Sequence, residues 1–193
     1  MGNSTEDLKA AAQYPEGDIV RLLLEQHARI RTLFTDIRDA GGREEVADLF
    51  AELRTLLVVH ETAEQIVVRP VTKNLAGEDV AKARVDEETE ATKLLAELDK
   101  LDPMTPEFDA ELGRLESAVK QHAEHEEHDE FPALINGCTV DQRRTMGTAF
   151  SAAARVAPTH PHPAVAGKFA ATMLTLPFAS IVDRTKDAIK KAS

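Results

Sequence analysis

Two stretches of this sequence place histidine and glutamate where they could share a cation. His60 and Glu64 stand four residues apart, and so do His122 and Glu126. A proline follows each pair, Pro70 and Pro132, and all three marks repeat at an offset of 62 residues. A solvated acidic face gives no reason for such a repeat. On an α-helix, residues at i and i+4 lie on one face, a turn apart. Two such pairs on two helices can each offer an imidazole nitrogen to one metal ion and a carboxylate oxygen to a shared position. A bridging carboxylate then holds two ions together. Imidazole with carboxylate and no thiolate suits iron, manganese or zinc.

Four helices are needed to position these groups, and the apolar periodicity supplies them. It predicts helices over 18–40, 44–69, 79–99 and 105–132. The first carries the stripe Val20, Leu23, His27, Ile30, Phe34 and Ile37, at steps of three and four. Asp18 is its expected N-cap, and Gly41 and Gly42 end it. Thr105 followed by Pro106 is the start signal of the fourth. Pro70 should kink or end the second helix, and Pro132 should close the fourth. Helices one and two resemble helices three and four, with short loops between neighbours. The expected fold is therefore all-α, an up-down-up-down four-helix bundle over 1–137. Residues 138–193 differ in composition and read as a C-terminal helical extension. Helices are expected there over 141–156 and 164–191, with the break "PTHPHP" between them. This extension is also the expected surface for self-association.

Each of the four core stripes is interrupted by polar residues: His27, His60 with Glu64, Glu88, and His122 with Glu126. At a rise of about 1.5 Å per residue, counting from the connecting loops puts all six at one level of the bundle. Burying unpaired carboxylates is costly or forces them to protonate. The six together therefore predict a dinuclear metal site in the bundle core. Glu61 is an outside candidate for an extra ligand. His125, Glu127, His128 and Glu130 fall off the stripe and are expected to face solvent. His160 and His162, set between prolines, read as a structural turn. Tyr14, ahead of the first bundle helix, is expected outside the core and leaves no evident acid–base residue. A ferritin-like site would need Glu-x-x-His spacing and more carboxylates.

Bulk composition narrows the partners. The chain has 193 residues and a net charge of −11, which repels nucleic acid and anionic membranes. No apolar run approaches the roughly 20 residues of a membrane span. The single cysteine, Cys138, can form neither an internal disulfide nor a thiolate metal site and suggests a reducing cytoplasm. The opening MGNSTEDLKA lacks the apolar core of a signal peptide.

These motifs resemble the hemerythrin-like, or HHE cation-binding, family, with an added likeness of the tail to actinobacterial members. That pattern has a His on helix one, His-x-x-x-Glu on helix two, a His on helix three and His-x-x-x-Glu on helix four. Here His27, His60, Glu64, His122 and Glu126 match, over about 18–134. The resemblance implies a non-haem di-iron centre, two iron ions with an oxo or hydroxo bridge and with Glu64 and Glu126 as bridging ligands. It implies binding of, or reaction with, dioxygen, nitric oxide or hydrogen peroxide, catalase-like peroxide decomposition among them. An iron storage or redox- and oxygen-sensing module without turnover is the alternative. Helix three departs from the pattern, for it has no histidine. Heptad position favours Glu88 as the substitute, whereas the internal repeat points equally to Thr89. A carboxylate there would make a diferrous site with one hydroxide neutral and favour the ferric state. Reversible oxygen carriage is thereby disfavoured relative to peroxide decomposition or sensing.

Overall fold

The computed structural model describes residues 3–161. Among these are eight α-helices and one π-helical turn, with no strand. The long helices α2 (Ile19–Asp39), α3 (Arg43–Val67), α5 (Glu78–Leu98) and α6 (Pro106–His125) form the up-down-up-down bundle. In this ring α2 packs on α3 and α6, and α5 packs on α3 and α6. Their starts follow the local chemistry. The Asp18 carboxylate accepts from the Val20 amide at 3.0 Å, and the Thr105 hydroxyl from Phe108 at 3.2 Å.

The shorter helices complete the fold. α1 (Ser4–Ala11) lies along α2, and its N-terminus carries a reciprocal capping box between Asn3 and Glu6. α4 (Arg69–Leu75) continues α3 after a break at Val68. α6 runs into a π-helical turn, Glu126–Glu130, and then α7 (Phe131–Gly137). α8 (Val140–Ala154) folds back across α3 and α2. Pro132 does not close the fourth helix as expected. It stands in the first turn of α7, as Pro70 stands in the first turn of α4. A proline's missing N–H costs nothing in a first turn, so both residues open a helix rather than end one.

Burial divides into two apolar clusters. One fills the loop end of the bundle, with Phe34, Leu53, Leu98, Phe108 and Leu115. The other joins the start of α2 and the end of α3 to Phe131, Leu134, Met146 and Phe150. Tyr14 is half-buried against this second cluster. His27 on α2, His60 on α3, and His122 and Glu126 on the run from α6 to α7 fall between the two clusters, so most of the polar layer has hydrocarbon on both sides.

Helix α8 is locked in place by two devices. Arg143 donates from Nε to Asp18 at 2.8 Å and from its terminal nitrogen to the Cys138 carbonyl at 2.9 Å. That ties α8 to the start of α2 and the end of α7. Gly147 lies so close to the 17–18 turn that an added Cβ would come within 2.0 Å of the Gly17 carbonyl oxygen. No helix among the described residues is long and apolar enough to cross a membrane. His162, the helix expected over 164–191 and any self-association through it lie outside the described residues.

Candidate metal centre

His27, His60, Glu64, Glu88, His122 and Glu126 converge in the polar layer, each no more than 3% exposed. They come with Glu61 and fall into two groups. His27, His60 and Glu126 bring one ligand atom each within 4.8 Å of one another, and Glu61, Glu64, Glu88 and His122 do the same. Glu126 spans the two, its Oε2 lying 3.4 Å from His27 Nε2 and its Oε1 3.2 Å from His122 Nε2. Glu64 Oε2 is 3.6 Å from His60 Nε2, and Glu61 Oε2 is 3.8 Å from His122 Nε2.

All three imidazoles are held by their outer nitrogen. Nδ1 of His27 meets Glu127 at 2.8 Å, that of His60 meets Gln26 at 2.7 Å, and that of His122 meets Glu87 at 3.0 Å. An acceptor oxygen at Nδ1 selects the tautomer protonated there and turns the Nε2 lone pair inward. The supports follow a rule of position. Gln26, Glu87 and Glu127 each adjoin an inner residue of their own helix, yet each holds a histidine of another helix. Further out, Arg31 reaches Glu127 at 3.1 Å and is itself paired with the buried Asp7 of α1.

The inward atoms lack hydrogen-bond partners. His27 Nε2, His122 Nε2, both Glu64 oxygens, Glu126 Oε2 and Glu61 Oε2 are buried without a hydrogen bond. Buried polar atoms left unsatisfied in such number call for a ligand. The donor set of imidazole and carboxylate fits a transition-metal cation. Protonation in the metal-free protein follows from the same crowding. Burial drives the Glu61 carboxyl up to about 8 and raises Glu64 well above the usual range. Burial also lowers His60, aided by nearby His27, to about 3. Burial works against protonation of His122 too, but Glu126 and Glu61 outweigh it and raise its pKa well above the usual value. Glu126 is held well below the usual carboxylate range, its burial outweighed by His122 and His27.

Three residues read as solvent-facing need correction, and one that was not read needs adding. Glu127 is not solvent-facing but supports His27. Glu130 is 1% exposed and paired with Arg69. Its position four after Glu126 was the available signal, for that spacing keeps one face. His128 is exposed as expected, but His125 is half-buried and meets the Glu87 carboxylate at 2.8 Å; His160 is exposed. Arg69, unread in the sequence, is a buried guanidinium inside the layer. It pairs with Glu88 and Glu130, hydrogen-bonds Glu126 at 3.0 Å and approaches Glu64 to 3.8 Å. Glu88 accepts a second bond from Gln65 at 2.6 Å.

The layer opens on a cavity of about 30 Å³ between α2, α3 and α6. Ile30, Phe34, Leu57, Val119 and Ala123 line it toward the loop end, and His27, His60, Glu61 and His122 toward the polar layer. On the other side Phe131 stacks on His27, with ring centres 5.8 Å apart, and Phe150 of α8 meets His60 edge-on at 6.5 Å.

A protein of Nostoc sp. described as a DNA nickase is 27% identical over 136 residues, which cover 70% of this chain and 38% of that protein. The chain thus spans well under half the length of that curated relative. No solved structure matches it. The hemerythrin HHE cation-binding domain matches residues 18–134, from the N-cap of α2 to the middle of α7. On that match over more than half its length, and with histidines and glutamates gathered as described, the chain belongs to the hemerythrin HHE cation-binding family.

Proposed function

We propose that this protein is a non-haem di-iron protein that binds or reacts with a small oxygen species: dioxygen, nitric oxide or hydrogen peroxide. The observation that carries the reading is the set of inward Nε2 and carboxylate atoms, without hydrogen bonds and lying between two apolar clusters. His27, His60 and Glu126 would hold one ion, and Glu61, Glu64, Glu88 and His122 the other, with Glu126 reaching both. Charge supports two divalent ions. Arg69 offsets one of the five carboxylates Glu61, Glu64, Glu88, Glu126 and Glu130, leaving four negative charges for the two cations. Including Glu61 makes a charge-balancing hydroxide unnecessary.

When bound, the iron pair would supply electrons and Lewis acidity to the oxygen species. The chain's own residues do the rest. Gln26, Glu87 and Glu127 fix the histidine rings, while Phe131 and Phe150 exclude water from one side. The small apolar cavity admits molecules of a few atoms and no larger substrate. Helix α8 heads the extension proposed for 138–193, and its Phe150 makes the extension part of the wall. The reading puts the protein in the cytoplasm, in keeping with its single buried cysteine.

Elemental analysis of the purified protein, with an optical spectrum and an oxygen electrode, tests this. About two iron atoms per chain with near-ultraviolet absorption support it, and a chain purified from iron-replete cells without metal overturns it. Added hydrogen peroxide separates the two forms of the reading. Sustained oxygen evolution marks peroxide decomposition, and spectral change without oxygen marks storage or sensing. The name of the Nostoc relative raises nucleic acid as a second partner class. The charge of −11 argues against it. Supercoiled plasmid incubated with the iron-loaded protein should stay closed, and the appearance of nicked circles would favour the relative's activity.

A further inference from the structure

Of the seven donor residues, Glu64, Glu88 and Glu126 lie within ion-pair distance of the Arg69 guanidinium. Glu64 and Glu88 belong to the second group. The contact to Glu126 is through Oε1, the atom that faces His122, rather than through Oε2, which faces His27. Among the described residues, the hydrogen bonds of Arg69 go to Glu88, Glu126 and Glu130 and none to His27 or His60. The buried cation is therefore placed on one side of the layer.

We infer that the two cation positions are unequal and that Arg69 makes them so: the ion among His27, His60 and Glu126 binds first, and the guanidinium competes with the second for its carboxylates. This rests on the two-cation reading given above. The physical reasons are direct. A guanidinium cannot lose its proton, so its charge is present whatever the occupancy. Like charges in a poorly screened interior repel strongly. Glu88 must also give up part of its bonding to Arg69 and Gln65 before it can serve a metal. Glu130 stands in neither group and remains as a partner for Arg69 once the second ion is seated, so the arginine is never left unpaired. In the metal-free protein the same residue holds Glu88, Glu126 and Glu130 together, which keeps the site assembled before any ion arrives.

Cobalt(II) titration of the chelator-treated full chain, followed by calorimetry and visible absorption, tests the inference. The wild type should take up two ions in separate steps, the second weaker by at least about tenfold. Arg69→Met removes the charge at similar length and should tighten the second step by about tenfold, with the first step little changed. An Arg69→Met chain that binds its second ion no better, or worse, overturns the inference. So does uptake of both ions by the wild type in a single cooperative step, a result that does not depend on the variant folding. A wild type that binds no cobalt at all sinks the two-cation reading itself. Two equal, independent ions leave that reading standing and sink only the inference about Arg69.

Discussion

At the scale of single residues, the polar layer is a set of groups kept out of their ordinary ionisation states. His60 illustrates the consequence. Burial, with His27 beside it, brings its pKa to about 3, against 6.5 for the free side chain. The ring is therefore neutral in the fold and protonates readily only when the chain unfolds. Its contribution to stability is complete above about pH 6.5 and is lost as pH falls toward about 3. Glu61 runs the other way. Its carboxyl, raised by burial to about 8, contributes fully below about 4.5 and loses that contribution as pH rises through 8. Between pH 7 and pH 5 the two groups act in opposite directions in the metal-free protein, so the test is the difference from wild type: in urea unfolding, His60→Asn should remove a destabilisation on acidification of roughly one kcal/mol per pH unit below about pH 6.5. Glu61→Gln should flatten the decline between pH 6 and 8. The inner residues were legible in the sequence because each interrupts an apolar stripe. Their supports were not, since Gln26, Glu87 and Glu127 sit one position off the stripe and act across helices. Sequence periodicity describes one helix at a time and cannot register such a contact. Arg69 was hidden for a related reason: it stands at a break between helices, where the period that would mark it as inward-facing is interrupted.

At the scale of elements, the first three bundle helices followed from their periodicity to within two residues, because apolar stripes, caps and glycine stops agreed, and the fourth starts as expected but ends at His125. The helix expected over 141–156 is present as α8. What escaped was α1, eight residues with little apolar face, whose one readable sign was the Asn3 to Glu6 capping box. Pro70 accompanies the break expected of it, with α3 ending at Val67, but Pro132 opens α7 instead of closing the fourth helix. A proline in a helical pattern can equally end one helix or begin the next, and only the break at Val68 and the π turn before Phe131 decide it. The seat of α8 on the 17–18 turn gives a sharp prediction. In Gly147→Ala the new methyl would meet backbone, which cannot step aside as a side chain could. The variant should lose about 1–3 kcal/mol in urea unfolding. Its Phe150 should pack less closely on His60, which weaker metal retention during dialysis against a chelator would report.

At the scale of the whole molecule, the fold holds two apolar clusters apart with a charged layer, an arrangement that costs stability until the layer is neutralised. Metal should therefore act as a structural element as well as a reagent. A free ion at about 100 times its dissociation constant stabilises a native state by about 2.7 kcal/mol. For a chain of this size that corresponds to a rise of roughly 5–10 °C in Tm. Thermal melts by circular dichroism, with and without added iron(II) under anaerobic conditions, check this, and a chelator should reverse the shift. Equal melting temperatures in both conditions would mean that the layer is already balanced without an ion.

The π-helical turn has a consequence for how this architecture can vary. It begins at Glu126, which reaches both groups of donors, and ends at Glu130, the constant partner of Arg69. Downstream of it the chain carries Phe131, Leu134 and the anchorage of α8. A π turn holds one residue more than the α-helix it interrupts. Deleting one of its residues would return the turn to ordinary α-helix and leave the helix beyond it nearly in phase, at the cost of one of its five side chains. Cation binding and the closing of the wall are thus coupled through the same five positions, so descendants of this chain can lose the extra residue more readily than they can replace Glu126 or Glu130.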